Sequence, residues 1–287
     1  MTPLPPDAAP ADIVAELDRR ARRFETPCGD GVLVWRAWGS GPPVLLAHGA
    51  HGAWSHWIRN IDVLAAARTV WAPDLPGYGE SALTDPADQE TIAAALALGL
   101  RRLIAPERLP LDVVGFSFGG VAGAYLAAGH PDLVRRLIIV GSGGLDTPVG
   151  RVDMQRLRGL DGEARHAALR ANLLALMLHH PESVDELAIH LQVTNGLRAR
   201  LDPGPLVLPD RLLQALPQIS AQIDAIWAEH DRPHPVEAGQ EAVLRRFQSD
   251  IDFRVIADAA HWAMYERPAA FDRALLELLD SPLRARA

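Results

Sequence analysis

The chain has 287 residues, a formal net charge of −8 and 48% hydrophobic residues. That is enough for one large α/β domain with a sizeable core, and an acidic balance without a long basic run excludes nucleic acid and anionic membrane as main partners. A single cysteine, Cys28, rules out an intrachain disulfide and points to a reducing, cytoplasmic setting.

Residues 1–10 are rich in proline and alanine and read as a flexible tail, without the basic start and apolar core of a signal peptide. Residues 12–23 read as a short charged helix. Residues 32–38 alternate apolar and polar and predict a strand. The apolar run 43–47 leads into the glycine-rich stretch His48 to Gly52. A strand over 69–72 and a helix over 91–104 follow, then a strand over 111–114, a helix over 121–128 and a strand over 137–140. From Leu145 to about Pro217 the chain reads as helices with prolines and no obvious strand. Residues 167–177 are apolar on nearly every side, so that helix must be covered on more than one face or cover something itself. The alternation resumes with a strand over 223–228, a helix over 236–247, a strand over 253–256 and a closing helix over 268–279. No apolar run is long enough to span a bilayer.

Strands alternating with helices predict an α/β fold, a mostly parallel central sheet flanked by helices. The strand-free stretch interrupts that alternation on the side of the sheet where ligands bind, and reads as a helical cap insert. The expected division is a tail over 1–10, a core over 11–145, a helical cap over 146–217 and the rest of the core over 218–287.

The most informative segment is Gly115-Phe116-Ser117-Phe118-Gly119-Gly120. A serine flanked two residues away by glycines, after a strand and before a helix, is the nucleophile-elbow pattern. The serine must stand on a strained turn clear of the sheet, and side chains at either glycine would collide with the neighbouring strand and helix. Four further motifs follow strands in order: His48-Gly49, Asp74-Leu75-Pro76-Gly77-Tyr78-Gly79-Glu80-Ser81, Glu229-His230-Asp231 and His261-Trp262. On these residues the chain resembles the α/β-hydrolases, from the early strands to the end. The order serine, acid, histidine is the one that fold uses.

The resemblance implies a nucleophile at Ser117, a base at His261 that takes its proton, and Asp231 to hold the imidazole in the required tautomer. Glu229 and Asp224 flank the same strand, and Asp146, after the strand ending at residue 140, is the acid position used by some relatives. Backbone N–H groups must await the charge that develops on the carbonyl oxygen. In this fold they come from Phe118 and, after His48-Gly49, from Ala50, with His51 as the alternative. His48 reads as structural, and His51, His56, His179 and His180 as packed or solvated. No histidine pair has metal-ligand spacing on a helix, so no metal and no cofactor is expected.

Trp54, Phe116, Leu173, Met177 and Trp262 suggest an apolar, partly aromatic substrate pocket, although packing alone would account for most of them. Trp57-Ile58-Arg59-Asn60 and the His261-Trp262 pair resemble the hydrolases that split carbon–carbon bonds in aromatic ring-cleavage products. Those enzymes hold a substrate carboxylate with a cap arginine, for which Arg198 and Arg200 are candidates. The chain departs from that subgroup at Phe116, where an asparagine is usual, and in a shortened oxyanion loop. A small carboxylic ester is therefore the first expectation and a 2-hydroxy-6-oxo-dienoate the second. The expected partner is that small molecule, and self-association into a homo-oligomer stays open.

Overall fold

The structure, a computed structural model, describes residues 8–284. Its centre is one eight-stranded sheet in the order β1-β2-β4-β3-β5-β6-β7-β8. The strands are β1 (Arg22–Cys28), β2 (Gly31–Trp38), β3 (Pro43–Ala47), β4 (Thr69–Pro73), β5 (Leu111–Phe116), β6 (Val134–Val140), β7 (Gln222–Ala228) and β8 (Phe253–Ile256). β1 pairs antiparallel with β2, and β2 with β4; every later pairing is parallel. β3, β4 and β5 are buried along their whole length, as strands covered on both faces must be.

The helices are α1 (Pro10–Arg20), α2 (Ile61–Ala65), α3 (Gln89–Leu103), α4 (Phe118–Gly129), α5 (Gly162–Leu176), α6 (Glu186–Leu197), α7 (Gly204–Val207), α8 (Arg211–Ala215), α9 (Gln240–Arg245), α10 (Ala263–Glu266) and α11 (Pro268–Asp280). Asp88 and Thr91 form a reciprocal capping box that starts α3. Successive strand residues face opposite sides, so the sheet divides the core in two. Leu45, Val113, Leu137 and Ile223 lie in one cluster with residues of α3 and α4, and Val44, Leu46, Val114, Ile138 and Ile226 in the other with residues of α11. The helices between β6 and β7 follow the same split. Leu169, Leu173, Ala188 and Leu191 of α5 and α6 join the second cluster, whereas Val207, Leu212 and Ala215 of α7 and α8 pack with the first.

Three local expectations are corrected. The helix over 12–23 ends at Arg20, and Arg22–Cys28 is a strand instead. The arginine run conceals a period of two: along β1 the burial tightens to alternate residues, Thr26 and Cys28 inward, and the charged ones stay on the open edge. The helix over 236–247 is broken at Gly239, whose φ of 97° no helix accepts, leaving a short 3₁₀ turn and α9. The expected helix over 121–128 begins earlier, at Phe118 directly after the serine. The part of the tail over residues 1–7 lies outside the described residues, and Pro10 already opens α1.

The loop after β4 is held by one buried carboxylate. Asp74 accepts from the backbone N–H of Trp54 at 3.0 Å and of Glu80 at 3.1 Å, and pairs with Arg36 at 3.2 Å. A Cβ on Gly79 would stand 2.4 Å from that carboxyl group, which accounts for a glycine there. Burial works against the Arg36 charge, but Asp18, Asp74 and Glu80 together outweigh it and raise its pKa above the ordinary value. Removing one member strands the others: Asp74→Ala is expected to destabilise the fold by about 3–5 kcal/mol. The urea-unfolding midpoint measures it, and a loss below about 1 kcal/mol would contradict this account.

Candidate active site

The elbow is built by close contact between two backbones. Ser117 connects β5 to α4 with φ 51° and ψ −116°, a conformation rare for a residue with a side chain. A Cβ on Gly115 would lie 2.3 Å from the Gly119 carbonyl oxygen, and one on Gly119 would lie 2.3 Å from the carbonyl oxygen of Ala47. The two glycines are therefore required by space, as the sequence implied. The turn is tied down on its other side, where the Ser117 N–H donates to Val140 O at 2.8 Å and Ser142 Oγ donates to Ser117 O at 2.7 Å.

His261 stands on the loop after β8 and is 5% exposed. Its Nδ1 lies 2.9 Å from Asp231 Oδ2. The carboxylate can only accept, so Nδ1 carries the proton and Nε2 presents a lone pair. The other oxygen of Asp231 accepts from the His234 N–H at 2.9 Å, which fixes the plane of the carboxylate. The Phe116 ring packs on the His261 ring at 4.9 Å, placing the imidazole against the residue before the serine. A Cβ on Gly141 would meet Asp231 Oδ2 at 2.9 Å and His261 Nδ1 at 3.4 Å, so this glycine next to the serine's strand makes room for the pair. No hydrogen bond joins the Ser117 hydroxyl to the imidazole in this structure.

The other carboxylates are engaged elsewhere. Asp224 is buried at the start of β7, bound to Gln222 and Arg284. Glu229 is half exposed and accepts from the Asp258 N–H, and Asp146 is exposed. The loop carrying Ala50 rests directly on the elbow: a Cβ on Gly49 would be 2.9 Å from the Phe116 ring and 3.3 Å from Ser117 Cβ. Phe118 opens α4, so its N–H has no acceptor inside the helix and sits at the positive end of its dipole.

Histidines crowd this region beyond what the chain order suggests. His48 donates from Nδ1 to Gly49 O at 2.7 Å and accepts at Nε2 from the Leu75 N–H at 2.8 Å, so it is neutral and structural. His56, expected as a solvated or merely packed ring, is buried beneath the loop, 5.6 Å from Phe116 and 5.2 Å from Trp262. Burial, and then the proximity of His48, His261 and His51, push its pKa well below the ordinary value. His234, which drew no attention in the sequence, lies 5.7 Å from His261 and is held down to about 4, first by burial and then by His261 itself. Rings next to His261 thus stay neutral.

The residues expected to line a pocket are all buried. Phe116, Leu173, Met177 and Trp262 share the second core cluster with Trp54. Trp54 packs on Trp38 at 5.3 Å and under the Arg36 guanidinium at 5.1 Å, a structural position. Trp262 Nε1 donates to His56 O and its N–H to Met177 O, so this tryptophan joins the helical insert to the 3₁₀ turn Trp54–Trp57. Of the two candidate cap arginines, Arg200 donates to the Ser81 carbonyl and Arg198 is exposed to solvent. His179, His180 and Asp258 bring one ligand atom each within 4.8 Å of one another, a group that the spacing along helices did not reveal. Asp258 is also paired with Arg267, whose positive charge opposes a cation there.

A strained serine at the carboxyl end of a central strand, beside a buried histidine–carboxylate pair, defines an α/β fold of the hydrolase kind. The sequence profile of the Alpha/beta hydrolase family matches residues 44–274, and the chain belongs to that family. It is 27% identical over 263 residues to a 2-hydroxy-6-oxo-6-phenylhexa-2,4-dienoate hydrolase of Burkholderia cepacia, covering 84% of this chain and 88% of that one. It is 29% identical over 254 residues to a 2-hydroxymuconate semialdehyde hydrolase of Pseudomonas sp. (strain CF600), covering 81% and 85%. Among solved structures, an esterase from Exiguobacterium antarcticum superposes with a TM-score of 0.73 at 19% identity, covering 91% of this chain and 100% of that one. No helix of the described residues is long and apolar enough to cross a membrane.

The buried His234 predicts an acid limb of stability. Its native pKa of about 4 lies below the ordinary 6.5. Between these values the unfolded chain binds a proton that the native state refuses, so stability is complete above pH 6.5 and declines toward pH 4. Asp272, raised to about 6 by burial, acts in the opposite direction below that value. Between pH 7 and 4.5 the wild type is expected to lose about 2 kcal/mol more unfolding free energy than His234→Gln. Urea titrations at both pH values measure the difference, and parallel curves would refute it.

Proposed function

We propose that the protein is a serine hydrolase of small carboxylic esters, with Ser117 as nucleophile, His261 as general base and acid, and Asp231 as its orienting carboxylate. The 2.9 Å contact between His261 Nδ1 and Asp231 Oδ2 beside the elbow carries this reading. His261 Nε2 takes the hydroxyl proton as Ser117 Oγ attacks the ester carbonyl. The N–H groups of Ala50 and Phe118 receive the developing oxyanion. Collapse of the tetrahedral intermediate breaks the acyl–oxygen bond, and the alcohol leaves with the proton held by His261. Water then repeats the sequence on the acyl-enzyme, and the acid departs. Neutral rings at His56 and His234 leave the imidazolium, when it forms, the one cation among them, with Asp231 beside it.

In the same reading the helices between β6 and β7 are the cap, and Phe116, Leu173, Met177 and Trp262 form the apolar wall against which the substrate lies. The aromatic ring at Phe116 next to the nucleophile, and the hydrogen bond that holds Arg200 on the Ser81 carbonyl, favour an uncharged ester over a dicarboxylate or enol acid. A second reading, hydrolysis of a carbon–carbon bond in a 2-hydroxy-6-oxo-dienoate, is favoured by the relatives from Burkholderia cepacia and Pseudomonas. The two separate in a side-by-side assay of short p-nitrophenyl esters and a 2-hydroxy-6-oxo-dienoate, with ester turnover expected to dominate.

Ser117→Ala is expected to lower ester turnover by roughly 10⁴-fold. A variant within about tenfold of wild type places the nucleophile elsewhere. A fluorophosphonate probe is expected to label Ser117, and a label mapped to Ser55 or Ser142 would reject the assignment.

A further inference from the structure

The loop bearing His261 must stay rigid enough to keep the imidazole on Asp231, yet residues 257–262 belong to no strand and only lead into α10. Its backbone polar groups show what holds it. The Ala259 carbonyl accepts from the His230 N–H at 2.9 Å, and the Trp262 N–H donates to Met177 O at 2.8 Å. A further N–H of this stretch, on Ala260, donates at 2.8 Å to Glu266 Oε2.

Glu266 is 4% exposed, and its carboxylate does more than cap that loop. Its Oε1 accepts from the N–H groups of His179 and His180, each at 2.8 Å, and its Oε2 accepts from His179 at 3.0 Å as well. His179 and His180 lie where the insert turns after α5. One buried carboxylate therefore joins the residue before His261 to the return of the insert. Hydrogen bonds from N–H to an ionised carboxylate are about twice as strong as neutral ones, and a buried carboxylate is stable only while they are all made. The same seam is closed further along by Asp185, which accepts from Tyr265 Oη and pairs with Arg59.

We infer that Glu266 is a positioning residue for the reaction: it makes the insert's return and the His261 loop one rigid unit, so that the imidazole keeps its place while other parts of the insert move. The inference rests on the assignment of His261 as base. Glu266 touches neither substrate nor the reacting atoms, and acts only through the backbone on which His261 stands.

Glutamine tests this because an amide has one acceptor oxygen and a donating NH₂. With the oxygen in the place of Oε1 it keeps the two shortest bonds to the insert and turns a donor toward the Ala260 N–H. The fold and the insert remain, while the catalytic loop is released. Glu266→Gln is expected to melt within about 10 °C of wild type. Its kcat should fall about tenfold or more, with KM within about threefold. Fluorophosphonate labelling of Ser117 should slow in parallel while still reaching full stoichiometry. A variant with kcat and labelling rate within about twofold of wild type overturns the inference. So does one in which only a fraction of molecules label, at the wild-type rate, since that reports partial unfolding alone. Wild-type protein that takes no label at Ser117 rejects the site assignment itself, and with it the inference, before any variant is made. Hydrogen exchange on the wild type gives an independent reading if the variant fails to fold. Amides in segments 178–180 and 258–262 should open together with one protection factor, and independent opening overturns the proposal.

Discussion

Everything in this molecule that can do chemistry depends on how closely α4 is pressed against the end of β5. The helix enters so near the strand that a Cβ at position 115 would sit 2.3 Å from the Gly119 carbonyl oxygen. That approach leaves no room for an ordinary turn, and Ser117 absorbs the misfit at φ 51°. Two results follow from one steric fact. The serine side chain is driven clear of the sheet, and the Phe118 N–H is left without an intrahelical acceptor at the same corner. Strain of this kind costs on the order of 1–3 kcal/mol, which the surrounding hydrogen bonds to Val140 O and from Ser142 Oγ offset.

Buried carboxylates organise the rest of the site, each by collecting backbone N–H groups. Asp74 fixes the loop after β4 to the segment that carries Trp54. Asp231 binds the His234 N–H with one oxygen and His261 with the other. Glu266 joins the His261 loop to the insert. In each case a charge that would be costly to bury is satisfied by donors that irregular loops have in excess. The arrangement turns a desolvation cost into positional order where the chain has no regular structure to provide it.

The rings that surround His261 are uncharged. Burial keeps His56 and His234 neutral beside His261, which is paired with Asp231. A phenyl ring at Phe116 packs on the His261 ring, and Arg200 is held on the Ser81 carbonyl. The relatives from Burkholderia cepacia and Pseudomonas align with most of the chain's length.

The sequence by itself determined the α/β class, the elbow and the order of its candidate partners. Period-two and helical patterns are local, and glycines at 115 and 119 record a steric demand made by residues a few places away. It was silent or misleading where the cause is distant. β1 hid in an arginine run because its alternation appears only once β2 lies beside it. The chain order already favoured Asp231 over Asp224 and Glu229, but the contact that sets it apart, 2.9 Å to His261, exists only once β7 and β8 lie side by side. His234 and Glu266 carry no motif at all; one is recognised by a ring 5.7 Å away from His261, the other by N–H groups more than eighty residues back along the chain. Burial and long-range hydrogen bonding are properties of the assembled layers, so only the tertiary structure decided them.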